Sequence, residues 1–491
     1  MQFKKEQSGY LTVYLTLVFG IILSLLLALV EGAAMGAARL QAELIADLGM
    51  DSIFAEYHRE LFKQYGLLFI DDSYGAKNGS IAQVEEHLTD YMSYNINPKK
   101  GVTKACGYNF VSLEQTYLEI EEAAFATDCA GQVWKTQIIE YMKSQYGMDI
   151  IEGVQDQINQ VESSQLLSLD VKQKFTEYQE ELKQAFETNK IEETNNETQE
   201  GASYQKITDV FDSISGKGIL YFTAPDLGSL SSASITSQDY VSYRRQQGNI
   251  NKGSGLPDYV EESATIADEL LFHAFLLEKY GSYANAKEGS HLQYQIEYIL
   301  FGRDSDISNL RECAERLFLI RSASNYLYLT TIDTAKYNEV KTMASAICTL
   351  LCLPEVAEIA TQMIMIIWAM AEGVIDVKCL LDGGKVSIIK QKGEWQLGLS
   401  SLFSGGWKKS NKTTQTSGLS YEGYLQILLG IMINKTDKVM RSMDIAEMDI
   451  RKTPGNENFC IDQCIDYLKV SFGLTGDRGQ EYVFTKTMRY E

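Results

Sequence analysis

Proline is scarce, 5 in 491 residues, and histidine is scarcer, with 4. So few prolines exclude collagen-like and proline-rich architectures and leave long helices uninterrupted. His58, His87, His273 and His291 stand in no H-E-x-x-H or other paired-ligand spacing, so no metal is expected, and His58 reads as a surface side chain. Basic residues are also in deficit. Lys and Arg total 44 against 66 Asp and Glu, a formal net charge of −22. A body that acidic repels phosphate backbones, so no nucleic acid is expected as a partner. Neither a G-x-S-x-G elbow, a G-x-x-x-x-G-K-[ST] loop nor a G-x-G-x-x-G turn after a strand occurs. Asp382-Gly383-Gly384-Lys385 lacks the upstream glycine and hydroxyl residue of a phosphate loop; it reads as a helix stop before a strand at Val386–Lys390. Asp304 and Asp306 read as helix caps rather than calcium ligands. No cofactor and no catalytic residue is assigned.

The eight cysteines offer no C-x-x-C pair, and zinc-ribbon spacing is absent. Cys313, Cys348, Cys352 and Cys379 lie in apolar helical patterns and read as small core residues. Cys460 and Cys464, four apart, are the disulfide candidate.

What the chain does have is one long greasy run. Tyr10 to Val30 is 21 residues without a formal charge. As a helix it extends about 31 Å, against a hydrocarbon core of about 30 Å. Lys4 and Lys5 precede it and Glu31 closes it. By the positive-inside rule the N-terminus stays in the cytoplasm and the body is extracytoplasmic. A cleaved secretory signal competes for the same stretch, since Ala28–Ala34 offers small residues, but its apolar region is normally only about 7–15 residues long.

The helix continues past Glu31 without a turn signal. Gly32 and Gly36 make a G-x-x-x-G step that suits close approach of a partner membrane helix. Leu40, Leu44 and Leu48 recur at i, i+4 and i+8, and Phe54, Tyr57 and Leu61 extend an apolar stripe. The expected organisation is a leader at 1–9, a transmembrane helix at 10–30, a helix extension at 31–65, a mixed α/β and helical region at 66–187, an acidic flexible linker at 188–204 and a loop-rich segment at 205–257. A helical domain at 258–455 and a C-terminal β-hairpin at 456–491 complete it. The nine residues Met363–Ala371 are too short to span a bilayer and read as the central helix of a bundle. Leu468, Val470 and Phe472 alternate, Gly476-Asp477-Arg478-Gly479 supplies a turn, and Tyr482 to Tyr490 alternate back. That hairpin is expected to join short N-terminal strands, near Gly66–Ile70 and Phe110–Ile120, in one sheet. The fold class is α+β.

A basic leader ending in Gly9, followed by an apolar helix running into an amphipathic one, resembles a class III pilin signal. The stretches EGAAMGAARLQAELIADLGMDSIFAEYHRELFKQYGLLFIDDSYG, QIEYILFGRDSDISNLRECAERLFLIRSASNYLYL and AEGVIDVKCLLDGGKVSIIK resemble the uncharacterised bacterial domain-of-unknown-function family 5702, over roughly residues 1–150 and 255–491. Members of that family are similar to the TadE- and TadG-like pseudopilins of Tad-type pilus systems in Gram-positive anaerobes. The resemblance implies cleavage after Gly9, with Glu31 matching an acidic residue of those pseudopilins. It departs at Tyr14, where pilin leaders place a glutamate five residues after the glycine. The expected function is therefore non-catalytic: a single-pass anchored accessory or minor pseudopilin-like component, held in the bilayer through residues 10–30 and packing through Tyr14, Glu31, Gly32 and Gly36 on partner helices or pilus-type subunits. The alternative is a cell-surface enzyme such as a carboxylate-dependent cell-wall hydrolase.

Overall fold

One helix, α1 (Glu6–Phe54), occupies the first tenth of the chain. The structure, a computed structural model, describes residues 6–96, 112–147, 151, 153–164, 166–188, 199–224, 226–236, 240–248, 252–253, 265–350, 354–408, 417–431, 434–477 and 479–490. Lys4 and Lys5, residues 189–198 of the acidic linker, Cys106, Phe110, Cys352 and Arg478 lie outside the described residues. Contacts divide the chain into two units. The first comprises Met1–Gln137, Asn249–Glu262 and Thr453–Glu491; the second comprises Ile138–Gly248 and Ser263–Lys452.

In the first unit, α1 ends where Tyr490 donates its hydroxyl to the Phe54 carbonyl, 2.7 Å away. Next comes α2 (Arg59–Tyr65). The expected continuous extension to residue 65 is thus broken at residues 55–58, and His58 is the reason. It is the N-cap of α2, its Nδ1 accepting from the Leu61 amide at 3.2 Å, and it is half-buried rather than a surface side chain. A cap needs non-helical φ and ψ, so one helix cannot run through it. Then follow β1 (Ile70–Asp71), α3 (Ile81–Ile96) and β2 (Leu113–Phe125). The chain enters α4 (Asp128–Tyr146) through left-handed Cys129, Ala130 and Gly131.

The C-terminus supplies β3 (Cys464–Gly476) and β4 (Glu481–Arg489), and all four strands form one antiparallel sheet. The central strand is β3, with β2 along one edge and β4 followed by β1 along the other. The expected hairpin and its union with N-terminal strands are both present. The first N-terminal strand is only two residues long, because the Phe69 carbonyl is engaged by the His58 amide instead. β2 carries a β-bulge between Gln115 and Tyr117, and a Cβ on Gly473 opposite would lie 2.3 Å from the Tyr117 ring.

One face of this sheet carries Leu468, Val470, Phe472 and Leu474, which pack with Ala42, Ile45, Ala46, Met50 and Ile53 of α1 and with Val84, Leu88 and Met92 of α3. The buried stripe of α1 therefore runs through small Ala42 and Ala46. Leu40 and Leu44, read in the sequence as part of one apolar stripe, are 70% and 51% exposed, and Leu48 is half-buried. The opposite sheet face is polar: Lys469 pairs with Glu121 and Glu122, and Ser471 bonds Thr485.

The second unit is helical. Its elements are the rest of α4, then α5 (Val154–Ser163), α6 (Val171–Thr188), α7 (Gln199–Gly216), α8 (Ile219–Thr223), α9 (Val241–Gln246), α10 (Ile266–Lys279) and α11 (Gln295–Phe301). They continue with α12 (Asp306–Leu327), α13 (Thr334–Leu350), α14 (Ala357–Leu381), α15 (Leu399–Phe403), α16 (Tyr421–Ile431) and α17 (Lys435–Arg451). The segment expected to be loop-rich, 205–257, holds α8, α9 and most of α7, whose periodic Ile207, Val210 and Ile214 are buried. As expected, α14 is the central helix, buried from Met363 through Val377. Gly373 lets it approach α12: a Cβ there would stand 2.8 Å from Ser322 Oγ. Ser305, not Asp304 or Asp306, caps α12, because the Asp306 carboxylate is buried and accepts from the Gln293 and Tyr294 amides and Ser231 Oγ. Val386–Lys390 forms no strand, only a bridge from Val386 to Leu419.

Candidate functional site

The first candidate is the free length of α1. From Tyr10 to Val30 its side chains are exposed on every side, apart from a half-buried Val18, and the helix is long and apolar enough to cross a membrane. Tyr14 is 68% exposed. Gly9 lies in the opening turns and Glu31 on the exposed surface. No atom stands within 4 Å of a Cβ built on Gly32 or Gly36, so this small-residue face is open on its own chain. Below it, Lys486 of β4 reaches α1 at Asp47 (2.8 Å) and Glu43 (3.3 Å), and these carboxylates hold its ammonium above the usual lysine range. The expected disulfide is not formed. Cys460 and Cys464 stand as two thiols, because Cys464 opens β3 after a tight turn, with its Sγ 3.8 Å from the Cys460 carbonyl.

The second candidate was not legible in the sequence. In the second unit the side chains of Arg321 (α12), Glu372 and Asp376 (α14) and Lys390 are all buried with no exposure, giving two cations and two anions in one cluster. Lys390 Nζ touches Glu372 Oε1 and lies 2.8 Å from Asp376 Oδ1. The other Asp376 oxygen accepts from Arg321 Nη2 at 3.1 Å and Asn325 Nδ2 at 2.9 Å. Arg321 Nη1 also donates to the Ser387 and Ile388 carbonyls, each at 2.7 Å. Glu372 accepts the Gln396 amide on Oε1 (2.8 Å) and the Leu397 amide on Oε2 (2.9 Å). Burial pushes the Glu372 pKa up. At Asp376 burial also pushes upward, but Lys390 and then Arg321 outweigh it and hold the carboxyl below its ordinary value. Trp395 covers the lysine, its ring centre 5.4 Å from Nζ.

Two further buried polar sets sit in this unit. Along α17, Asp444 accepts from the Ser242 amide and Tyr298 hydroxyl, while Glu447 takes a bidentate fork from Arg244 and a further bond from Arg451. Burial raises the Asp444 pKa to about 6. Glu297 accepts from the Tyr421 hydroxyl at 2.7 Å and the Tyr283 amide at 2.9 Å, and burial raises its pKa to about 7. The Cys313 thiol, 3.3 Å from the Tyr421 hydroxyl, is pushed up by burial and the adjacent Glu297.

A cleft of about 400 Å³ has an apolar wall of Leu300, Phe301, Leu319 and Leu428, with Glu312 and Glu315 beside it. Both acids come from α12, one turn apart, and Glu312 is paired with Arg303 at 2.9 Å. A smaller polar hollow of about 170 Å³ lies among Ser242, Tyr298, Asp304, Asp437 and Arg441.

A family described as a family of unknown function (DUF5702) matches residues 197–476, more than half of the chain. The chain belongs to that family. The DUF5702 match takes in α7 to α17 and the whole of β3. It therefore includes the four-charge cluster, the α17 acids and Glu297. The resemblance expected over residues 1–150 falls outside the matched span, and the match begins inside the acidic middle of the chain. Neither a curated protein nor a solved structure matches the chain.

Proposed function

We propose that this DUF5702 protein is a single-pass membrane-anchored, extracytoplasmic component of a Tad-type pilus or related surface assembly system, with an accessory or minor pseudopilin-like role and no catalysis of its own. One observation carries the reading: a 49-residue helix, exposed and apolar over its first half, continues unbroken into a segment that lies along an antiparallel sheet. Burying some 20 apolar residues in lipid holds a chain firmly. The Gly32/Gly36 face then offers a partner helix close approach in the bilayer or just outside it. Lys4 and Lys5 support a cytoplasmic N-terminus, and the acid excess that gives the whole chain a net charge of −22 suits a soluble body clear of anionic headgroups.

Alkaline carbonate washing of vesicles tests the anchor: the full chain should stay with the membrane, and its release into the wash sinks the reading. Mass spectrometry of the N-terminus reads the leader. A start at Tyr10 marks pilin-type maturation despite Tyr14, an intact Met1 marks a permanent accessory anchor, and a start near Met35 marks a secreted protein.

A further inference from the structure

The four-charge cluster goes beyond the anchoring role. We propose that Lys390 and Glu372 become joined by an intramolecular isopeptide bond, an amide between Lys390 Nζ and Glu372 Cδ, with loss of one water. The site holds each part such a condensation needs. The nucleophile is a lysine whose side chain has no solvent exposure, in contact with the carboxyl it attacks. The electrophile has backbone amides on both oxygens, from Gln396 and Leu397, placed to stabilise the oxyanion of a tetrahedral intermediate. A second carboxylate, Asp376, stands 2.8 Å from the same nitrogen through Oδ1, an atom that is engaged in this ion pair and accepts no hydrogen bond. Arg321 and Asn325 occupy its other oxygen, so Asp376 is held ionised as a base while Glu372 is the acid that burial favours in neutral form.

The steps balance without an added reagent. One ammonium proton crosses to Glu372, leaving a neutral amine against a neutral acid. Nζ attacks Cδ and the C–N bond forms. The proton shed by nitrogen goes to Asp376 Oδ1 and is handed to the carboxyl hydroxyl, whose C–O bond breaks as water departs. Asp376 ends as it began. Two of the four buried charges are gone, and the Arg321–Asp376 pair remains balanced. That outcome relieves the desolvation penalty of a dry lysine–glutamate pair. Preorganisation makes the reaction accessible: the groups are already in contact in a site closed to water, which raises effective concentration by orders of magnitude and disfavours the reverse hydrolysis. The product clamps α14 to the segment that leads to α15.

Peptide mapping of the full-length chain, extracted in detergent, tests this directly. Trypsin does not cut after an acylated lysine. The map should therefore show a branched species in which the peptide 342–378 is linked to 386–392, lighter by one water than their sum, with fragment ions placing the branch at Glu372. Lys390→Arg should restore linear peptides, and Asp376→Asn should leave the link incomplete. Cleavage after Lys390 with only linear peptides in the unsubstituted chain overturns the proposal whatever the variants do. A branch at Asp376, or a water lost elsewhere, overturns it equally. The carbonate wash is indifferent to this bond, so the two readings fail separately.

Discussion

At the scale of single residues, the least tolerant positions are those where chemistry and space are both fixed. Arg321 is wholly buried and its guanidinium serves Asp376, Asn325, Tyr424 and two carbonyls at once. Arg321→Ala strips Asp376 of a buried counter-charge and leaves those acceptors unpaired. It should cost about 3–5 kcal/mol, read as a fall in the denaturant midpoint of the helical unit. Gly373→Val drives its side chain into Ser322 across the α12–α14 contact, and Gly473→Val does the same to the Tyr117 ring. Overpacking of this kind should cost about 1–3 kcal/mol in each unit, seen as a lower melting temperature in detergent. His58 shows the converse, a polar residue with a defined packing role: it caps α2 and packs against Phe459 with the rings tilted, centres 4.5 Å apart.

At the scale of elements, α1 has two lives along one axis. Its lower half offers Ala42, Ile45, Ala46 and Ile53 to the sheet, while Leu40 and Leu44 point outward. Leu40→Ser with Leu44→Ser should shift the unfolding midpoint by no more than about 0.5 kcal/mol, since neither side chain is in the core. Ile45→Ala should cost about 2–5 kcal/mol, as large-to-small changes do at fully buried positions. If the leucine pair proved the more damaging, the buried face of α1 would have to be the other one. The central β3 is the other element that organises much around it, pairing with three strands that come from opposite ends of the chain.

At the scale of the whole molecule, the acid excess becomes a pH dependence. Asp72, Glu297 and Asp444 are carboxyls that burial raises to about 7, about 7 and about 6, with Asp71 adding to the effect at Asp72. A carboxyl whose folded pKa lies above its unfolded value binds a proton more readily in the native state. Its stabilising contribution is complete below the unfolded pKa, about 4, and is lost as pH rises through about 6–7. Repulsion within a chain of net charge −22 works in the same direction. Both units should therefore melt at a higher temperature near pH 5 than near pH 8. Asp72→Asn should flatten that dependence in the first unit, and Glu297→Gln should flatten it in the second. A stability that rose from pH 5 to pH 8 would contradict this.

The amino-acid order alone determined the greasy helix, the closing hairpin and the bundle's central helix, because each is a local periodicity that the chain carries wherever it lies. Tertiary structure decided the rest. Whether Leu40 or Ala42 faces the sheet depends on how closely helix and strand approach, which small residues permit and a count of apolar positions does not reveal. The meeting of Arg321, Glu372, Asp376 and Lys390 joins residues as far as 69 positions apart, three on helices and one in an irregular stretch with no motif to mark it. Charged residues read as solvated in a linear sequence, and only a fold that closes over them turns them into a buried, balanced set.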